Sequence, residues 1–236
     1  MDDIQAICVR NNAEFCDVIC RSHGVPGAFQ RSLWIQEKQG PSFYPNIITL
    51  TRHDVSEQTT TIAALRAKDQ DIAIKDSFST LDLSGMGLRR LFDAEWVWMT
   101  PEPSRRFASQ PERWSKIDTA ADLTRWQTEW RGEAPPLASP VFLPSLLDDP
   151  SITILAAWAG EAIVAGCVLN RDKSDVVGLS NLFAAEPGHD RHIAAAIDYA
   201  ADLAQDSMLV SYESGDDLAR MRACGFHSAG PLRVWV

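Results

Sequence analysis

A mixed β-sheet with helices on its faces, α/β in class, is the fold predicted for this 236-residue chain. Three observations predict it. Residues 152–184 hold three apolar or β-branched runs parted by short turns, the pattern of an antiparallel meander. Residues 193–235 then alternate an amphipathic helix, a strand, a short helix and a closing strand, an order that lays helices against a sheet. Residues 62–98 repeat that second pattern. There Ile62-Ala63-Ala64-Leu65, Ile72-Ala73-Ile74, Gly87-Leu88 and Val97-Trp98 answer Ile193-Ala194-Ala195-Ala196, Leu209-Val210, Gly225-Phe226 and Val234-Trp235. Counted back from the two glycines, the copies align through the middle strand. The second copy's seven extra residues then fall in the preceding helix, and about two helical turns keep its buried face in place.

The elements follow in order. Residues 12–23 form a predicted helix, with Asn11 or Asn12 as its cap, Phe15, Val18 and Ile19 inward, and Gly24 with Pro26 as its stop. After the turn-rich stretch 40–45, the β-branched run 46–51 is a strand. A short helix over 61–68, a strand over 71–75, a helical turn near 80–86 and a strand over 91–99 complete the first half. From Thr100 to Pro111, proline, serine and charge mix without periodicity, which is the composition of a linker. A helix opens at Asp118 or Thr119 with Leu123, Trp126 and Trp130 as its buried stripe, and 143–147 forms a second short helix. Strands 152–158 and 161–170 make a hairpin through Ala159-Gly160, and 176–184 is the third strand. Helix 193–205 turns Ile193, Ile197 and Ala200 inward and Asp198 and Asp202 outward. Strand 208–212, helix 216–223, a left-handed cap at Gly225 and strand 229–235 end the chain.

Composition narrows the function. A hydrophobic content of 45% with eight tryptophans fits a packed globule. The formal charge of −10 disfavours a nucleic-acid partner, because phosphate binding needs concentrated Lys and Arg. No apolar run approaches membrane-spanning length, and Met1-Asp2-Asp3-Ile4 has no signal-peptide character, so a cytoplasmic chain with no membrane contact is expected. Five cysteines without such a signal argue against a disulfide framework. Cys16, Cys20 and His23 share a helical face, yet a fourth ligand at normal spacing is missing and no metal is expected.

The helix and loop 120–150, the meander 152–184, the loop 184–194 and the ending Gly225-Phe226…Gly230-Pro231-Leu232-Arg233-Val234-Trp235 together resemble the GNAT superfamily of N-acyltransferases. The resemblance covers residues 114–236, with 101–113 as the linker and 1–100 resembling a shortened, diverged second copy. It implies a GNAT-like fold, an intramolecular pseudo-dimer, acetyl-CoA as cosubstrate and a small amine as acceptor. Catalytically degenerate relatives, acting as acyl-CoA sensors or interaction domains, are the alternative it carries.

Site residues follow from the same resemblance. The third strand and its end, Leu182, Phe183 and Ala184, would meet the pantetheine arm. The pyrophosphate loop, Arg/Gln-x-x-Gly-x-Gly/Ala in the family, falls on His189-Asp190-Arg191-His192-Ile193-Ala194, with His192 in place of the central glycine. The family often places a tyrosine four residues before the Gly-Phe pair to protonate the leaving thiolate, and Met221 stands there. Tyr212 is therefore the candidate acid. Glu213 is the candidate base, with Asp216 beside it. The corresponding loop of the first copy, 52–61, has no glycine and carries Asp54 and Glu57. That copy is expected to be scaffold, with Trp96 and Trp98 packed in its core.

Overall fold

A computed structural model describes residues 3–68, 71–101, 112–135 and 137–236. The expected linker lies largely outside the described residues. Helix α1 (Ile4–Ser22) starts well before the expected residue 12, capped by Asp3, whose carboxylate accepts from the Ala6 N–H. Asn11 and Asn12 look like caps in the sequence but sit inside this helix. Mid-helix asparagines usually compete with the backbone for hydrogen bonds. Here they bond at long range instead. Asn11 Nδ2 donates to Asp172 Oδ2 and to the Val176 carbonyl, each at 3.1 Å, and Asn12 Oδ1 accepts from Lys75 Nζ at 2.7 Å.

The remaining elements of the first half are β1 (Ala28–Phe29), β2 (Leu33–Ile35), β3 (Ile47–Thr49), α2 (Val55–Arg66), β4 (Ile74–Asp76), a 3₁₀ turn (Ser84–Met86) and β5 (Arg90–Met99). The second half holds β6 (Arg113–Lys116), α3 (Ala120–Arg131), a 3₁₀ turn (Pro144–Asp148), β7 (Ile152–Ala159), β8 (Ala162–Arg171) and β9 (Val177–Ala184). It closes with α4 (His189–Ala204), β10 (Leu209–Glu213), α5 (Gly215–Ala223) and β11 (His227–Trp235). Strands β1, β2 and β6 were not expected. Each has two to four residues, too few for alternation to emerge.

All strands join one sheet in the order β1-β2-β3-β4-β11-β5-β10-β9-β8-β7-β6. Its centre is an exchange. β11 pairs antiparallel with both β4 and β5, and β5 pairs antiparallel with both β11 and β10. Outside this centre the order is balanced, with β3 parallel to β4 on one side and β9 parallel to β10 on the other. The parallel pairings set Ile47 and Ile48 opposite Ile74 and Lys75, and Val177 and Gly178 opposite Leu209 and Val210. Helix α4 has 16 residues against 12 in α2, and the nine-residue α5 stands where the first half has a three-residue turn.

Helices α1 and α3 cover one face of the sheet. Phe15 and Ile19 meet Leu123, Trp126, Phe142, Ile154 and Val168 there. Helices α4 and α5 cover the other, where Ile193, Ile197, Ala200 and Met221 meet Val97, Leu169, Leu179 and Leu209. Among the described residues, no helix is long and apolar enough to cross a membrane.

Candidate active site

The site begins with a parting of strands. β9 and β10 pair only at Val177 with Leu209 and Gly178 with Val210, and beyond Gly178 they diverge. A Cβ on Gly178 would lie 2.2 Å from Asn170 Oδ1 and 2.3 Å from Asn11 Oδ1, so only glycine lets those amides close the floor of the gap. Strand β9 then bulges. Ser180 pairs with Val168 and Phe183 with Gly166, leaving Asn181 and Leu182 together opposite Cys167. Asn181 takes φ of +53°, a left-handed value that asparagine tolerates better than most residues. A bulge of this kind bends its strand and re-aims the backbone groups beside it.

A cavity opens on each side of the gap. The larger, of about 220 Å³, lies on the α1 face between Asn11, Asn12 and Phe15 of α1, Tyr44, Lys75 of β4, Trp96 of β5 and the diverging ends of β9 and β10. The smaller, of about 180 Å³, lies between the end of β9 (Leu182, Phe183, Ala184), the start of α4 (His189, Ile193) and Asp217, Arg220 and Met221 of α5. Glu213 lines both.

Burial and the neighbouring Asp217 charge push the Glu213 carboxyl up to about 8. A carboxyl in that range can take a proton from a group that an ordinary glutamate would leave charged. Asp216, the other acid considered, is exposed in the first turn of α5. Tyr212 points to the larger cavity. Its ring meets Trp96 edge-on at 5.3 Å, and Lys75 Nζ stands 4.3 Å from its centre. Trp96 is both core and wall: it is fully buried, donates to the Ser77 carbonyl at 2.8 Å, and lines the cavity. The Tyr44 hydroxyl is buried without a hydrogen-bond partner among the described residues. Burial holds that phenol well above its ordinary range, and Cys16 and Tyr212 add to the effect.

The phosphate-loop pattern lands differently from its expected place. Residues 189–194 are already inside α4, whose cap is Gly188 at φ of +102°. Gly188 stands just ahead of the helix. Gly188 has no side chain to block the orphan N–H donors of the first turn. Leu182, Phe183, Ala184, His189 and Ile193 gather at the smaller cavity, while Asp190, Arg191, His192 and Ala194 do not line it. Asp190 pairs with Arg220 at 2.7 Å, and that hydrogen bond holds its carboxyl below the ordinary range. Arg191 pairs with Glu112 at 2.6 Å, and the His192 ring, 5% exposed, meets the same carboxylate at 3.2 Å. Ala194 is half-buried along the helix. Lys75 and Tyr44 line the larger cavity, Arg220 lines the smaller and Gly188 caps α4, and the sequence singled out none of them.

The cysteine face of α1 holds no cluster. His23 Nε2 meets the Val141 carbonyl at 2.8 Å, and burial pushes the Cys20 thiol up to about 12. Among the described residues, no three His, Cys, Asp or Glu side chains are grouped to hold a metal ion.

No family model matches the chain, and no curated protein matches it. Solved structures do. A GCN5-related N-acetyltransferase from Kribbella flavida is similar with a TM-score of 0.67 and 12% identity, over 100% of this chain and 96% of that one. A GNAT-family protein from Novosphingobium aromaticivorans is similar at 0.58 and 11%, over 94% of each chain. A tandem GNAT protein from the clavulanic acid biosynthesis pathway is similar at 0.52 and 10%, over 96% of this chain and 94% of that one. At such identities the likeness is one of fold. The chain has the GNAT acyltransferase fold.

Proposed function

We propose that the chain is an acyl-CoA-dependent N-acyltransferase, moving acetyl from acetyl-CoA to an amine through the gap between β9 and β10. One observation carries the reading. Glu213, with its proton affinity raised toward that of an amine, stands where the two cavities meet at the parted strands.

The smaller cavity suits the cofactor. β10 does not pair with β9 beyond Gly178, which leaves strand-edge backbone for a pantetheine arm. The side-chain-free Gly188 and the N–H groups opening the 16-residue α4 suit a pyrophosphate. When bound, acetyl-CoA supplies an acyl group activated as a thioester. Glu213 takes the amine's proton from the side of the larger cavity. The bulge at Asn181–Leu182 supports its backbone N–H groups as the donors that would stabilise charge on the acyl oxygen. Met221 carries no proton, and Tyr212, which lines the larger cavity next to Glu213 in sequence, is the proposed acid for the leaving sulfur.

The same reading takes residues 1–100 as a shortened second unit beside 114–236, a view supported by the balanced strand order around β11 and β5. It gives the first unit more than a scaffold's part, because Asn12, Tyr44, Lys75 and Trp96 line the larger cavity.

Thermal shift with acetyl-CoA tests the proposal. Ligand at about 100 times its dissociation constant is expected to stabilise the chain by roughly 2.7 kcal/mol. Gly188→Ala, strained at a φ of +102°, is expected to weaken that binding on the order of tenfold. CoA release against a panel of amines then reads the transfer itself. An absent shift at millimolar acetyl-CoA would sink the proposal.

A further inference from the structure

We infer that the acceptor carries an anionic group besides its amine, and that Lys75 forms the subsite that binds it. This rests on the acyltransferase reading for the amine end and on the cavity's own chemistry for the other end.

Among the described residues lining the larger cavity, two are charged: Glu213 and Lys75. The rest of its polar lining is neutral amide and hydroxyl. Lys75 is 4% exposed, and its aliphatic stem brings Nζ within 5.9 Å of the centre of the Trp96 ring and 4.3 Å of that of Tyr212. Its one hydrogen bond to a described residue goes to Asn12 Oδ1 at 2.7 Å, and no carboxylate of a described residue lies within 4.0 Å of it. An ammonium has three donors, and a buried one without a counter-charge is costly. The aromatic faces offset part of that cost, but they accept no second or third N–H bond.

A buried cation with spare donors at a cavity wall asks for an anion from outside. A carboxylate or a phosphate would satisfy it. Glu213 meanwhile offers a carboxyl to an amine. The cavity of about 220 Å³ suits a small molecule bearing both groups, such as an amino acid or a phosphorylated amine. The chain's overall acidity does not oppose this, because a charge enclosed by low-dielectric walls acts locally.

The test uses the full chain and matched probes: L-alanine and O-phosphoethanolamine against ethylamine, and 4-aminobutyrate against propylamine. CoA release gives kcat/KM for each, and calorimetry without acyl donor reads binding alone. The expected result is a preference for the anionic member of a pair on the order of tenfold or more, expressed in KM. The pairs separate carboxylate from phosphate. Lys75→Met is expected to bring the preference to about one. Should that variant fail to fold, Asn12→Asp keeps the lysine and neutralises it in place, with the same expected collapse. Equal use of matched probes by the unaltered chain would overturn the inference, as would a preference that survives both substitutions. The two readings fail separately. Lys75-dependent binding of the anionic probes without any acetyl-CoA shift would end the transferase reading and leave the subsite standing. An acetyl-CoA shift with no anion preference would do the reverse.

Discussion

Glu213→Gln is expected to lower kcat/KM for acetyl transfer by roughly 10²- to 10⁴-fold, the usual contribution of a positioned general base. The acetyl-CoA thermal shift should persist, since glutamine keeps the size and hydrogen-bonding reach of the side chain that lines both cavities. In the unaltered chain the rate should rise with pH through about 8 as the carboxyl loses its proton. That step should be missing in the variant. The groups that face Glu213 are Asp217, whose charge raises it, with Arg220 and His189 in the smaller cavity and Tyr212 and Lys75 in the larger. Stability carries a second signature. The folded carboxyl holds its proton up to about 8, whereas an unfolded glutamate releases it near about 4.3. Between those values the folded state binds the extra proton, so stability falls as pH rises, by up to about 1.4 kcal/mol per unit. Glu213→Gln removes that slope. The variant should therefore gain on the unaltered chain above about pH 8 and lose the advantage below about pH 4. Denaturant midpoints measured across this window decide it. Parallel pH profiles would mean that the carboxyl titrates normally and is no base.

Trp126→Ala should cost about 3–5 kcal/mol, the largest expected loss of stability. Trp126 is fully buried, stacks with Trp130 at 6.1 Å and meets Phe142 and Phe183 edge-on at 5.4 and 5.2 Å. Its Nε1 donates to the Leu155 carbonyl at 2.8 Å, and the substitution leaves that oxygen without this donor. At roughly 2–4 °C per kcal/mol for a chain of this size, the melting temperature should drop by roughly 6–20 °C. Activity should fall as well, because the indole seats Phe183 beside the β9 bulge. Trp126→Phe retains much of the packing without the N–H. Its smaller loss, measured by thermal denaturation, combines the hydrogen bond, at about 1 kcal/mol, with the cost of the ring volume removed. A loss below 1 kcal/mol for the alanine variant would mean that the aromatic cluster does not hold this face together.

Most of the second half could be read from the sequence, because its elements are long enough to show their periods. Strands β7 to β9 and helices α4 and α5 fall within a few residues of their expected places. The first half was harder to read for a physical reason. Its strands β1 to β4 have two or three residues each, and α1 contains two asparagines whose amides are satisfied by partners far along the chain. Local pattern cannot reveal such partners. The site divides in the same way. Glu213 could be named from its strand end, but the burial that raises its proton affinity arises from packing. Lys75 looks like a solvated strand lysine until the sheet brings it beneath α1. The helix start at His189, with Gly188 ahead of it, was hidden because the apolar period of α4 becomes clear only from Ile193.

The exchange at the centre of the sheet sets a schedule. Strand β5 is made early but has neighbours only in β10 and β11, more than a hundred residues later. Until residues 227–235 emerge, β4 and β5 have no strand between them, and each exposes backbone groups that invite pairing with another chain. A topology of such distant pairings folds slowly, because loop closure costs entropy before the contacts return it. During that delay Lys75 and Glu213, one from each half, have not been brought to the same cavity. The two charges that would recognise a substrate meet only when the central strands close, so a half-built sheet has no binding site to offer.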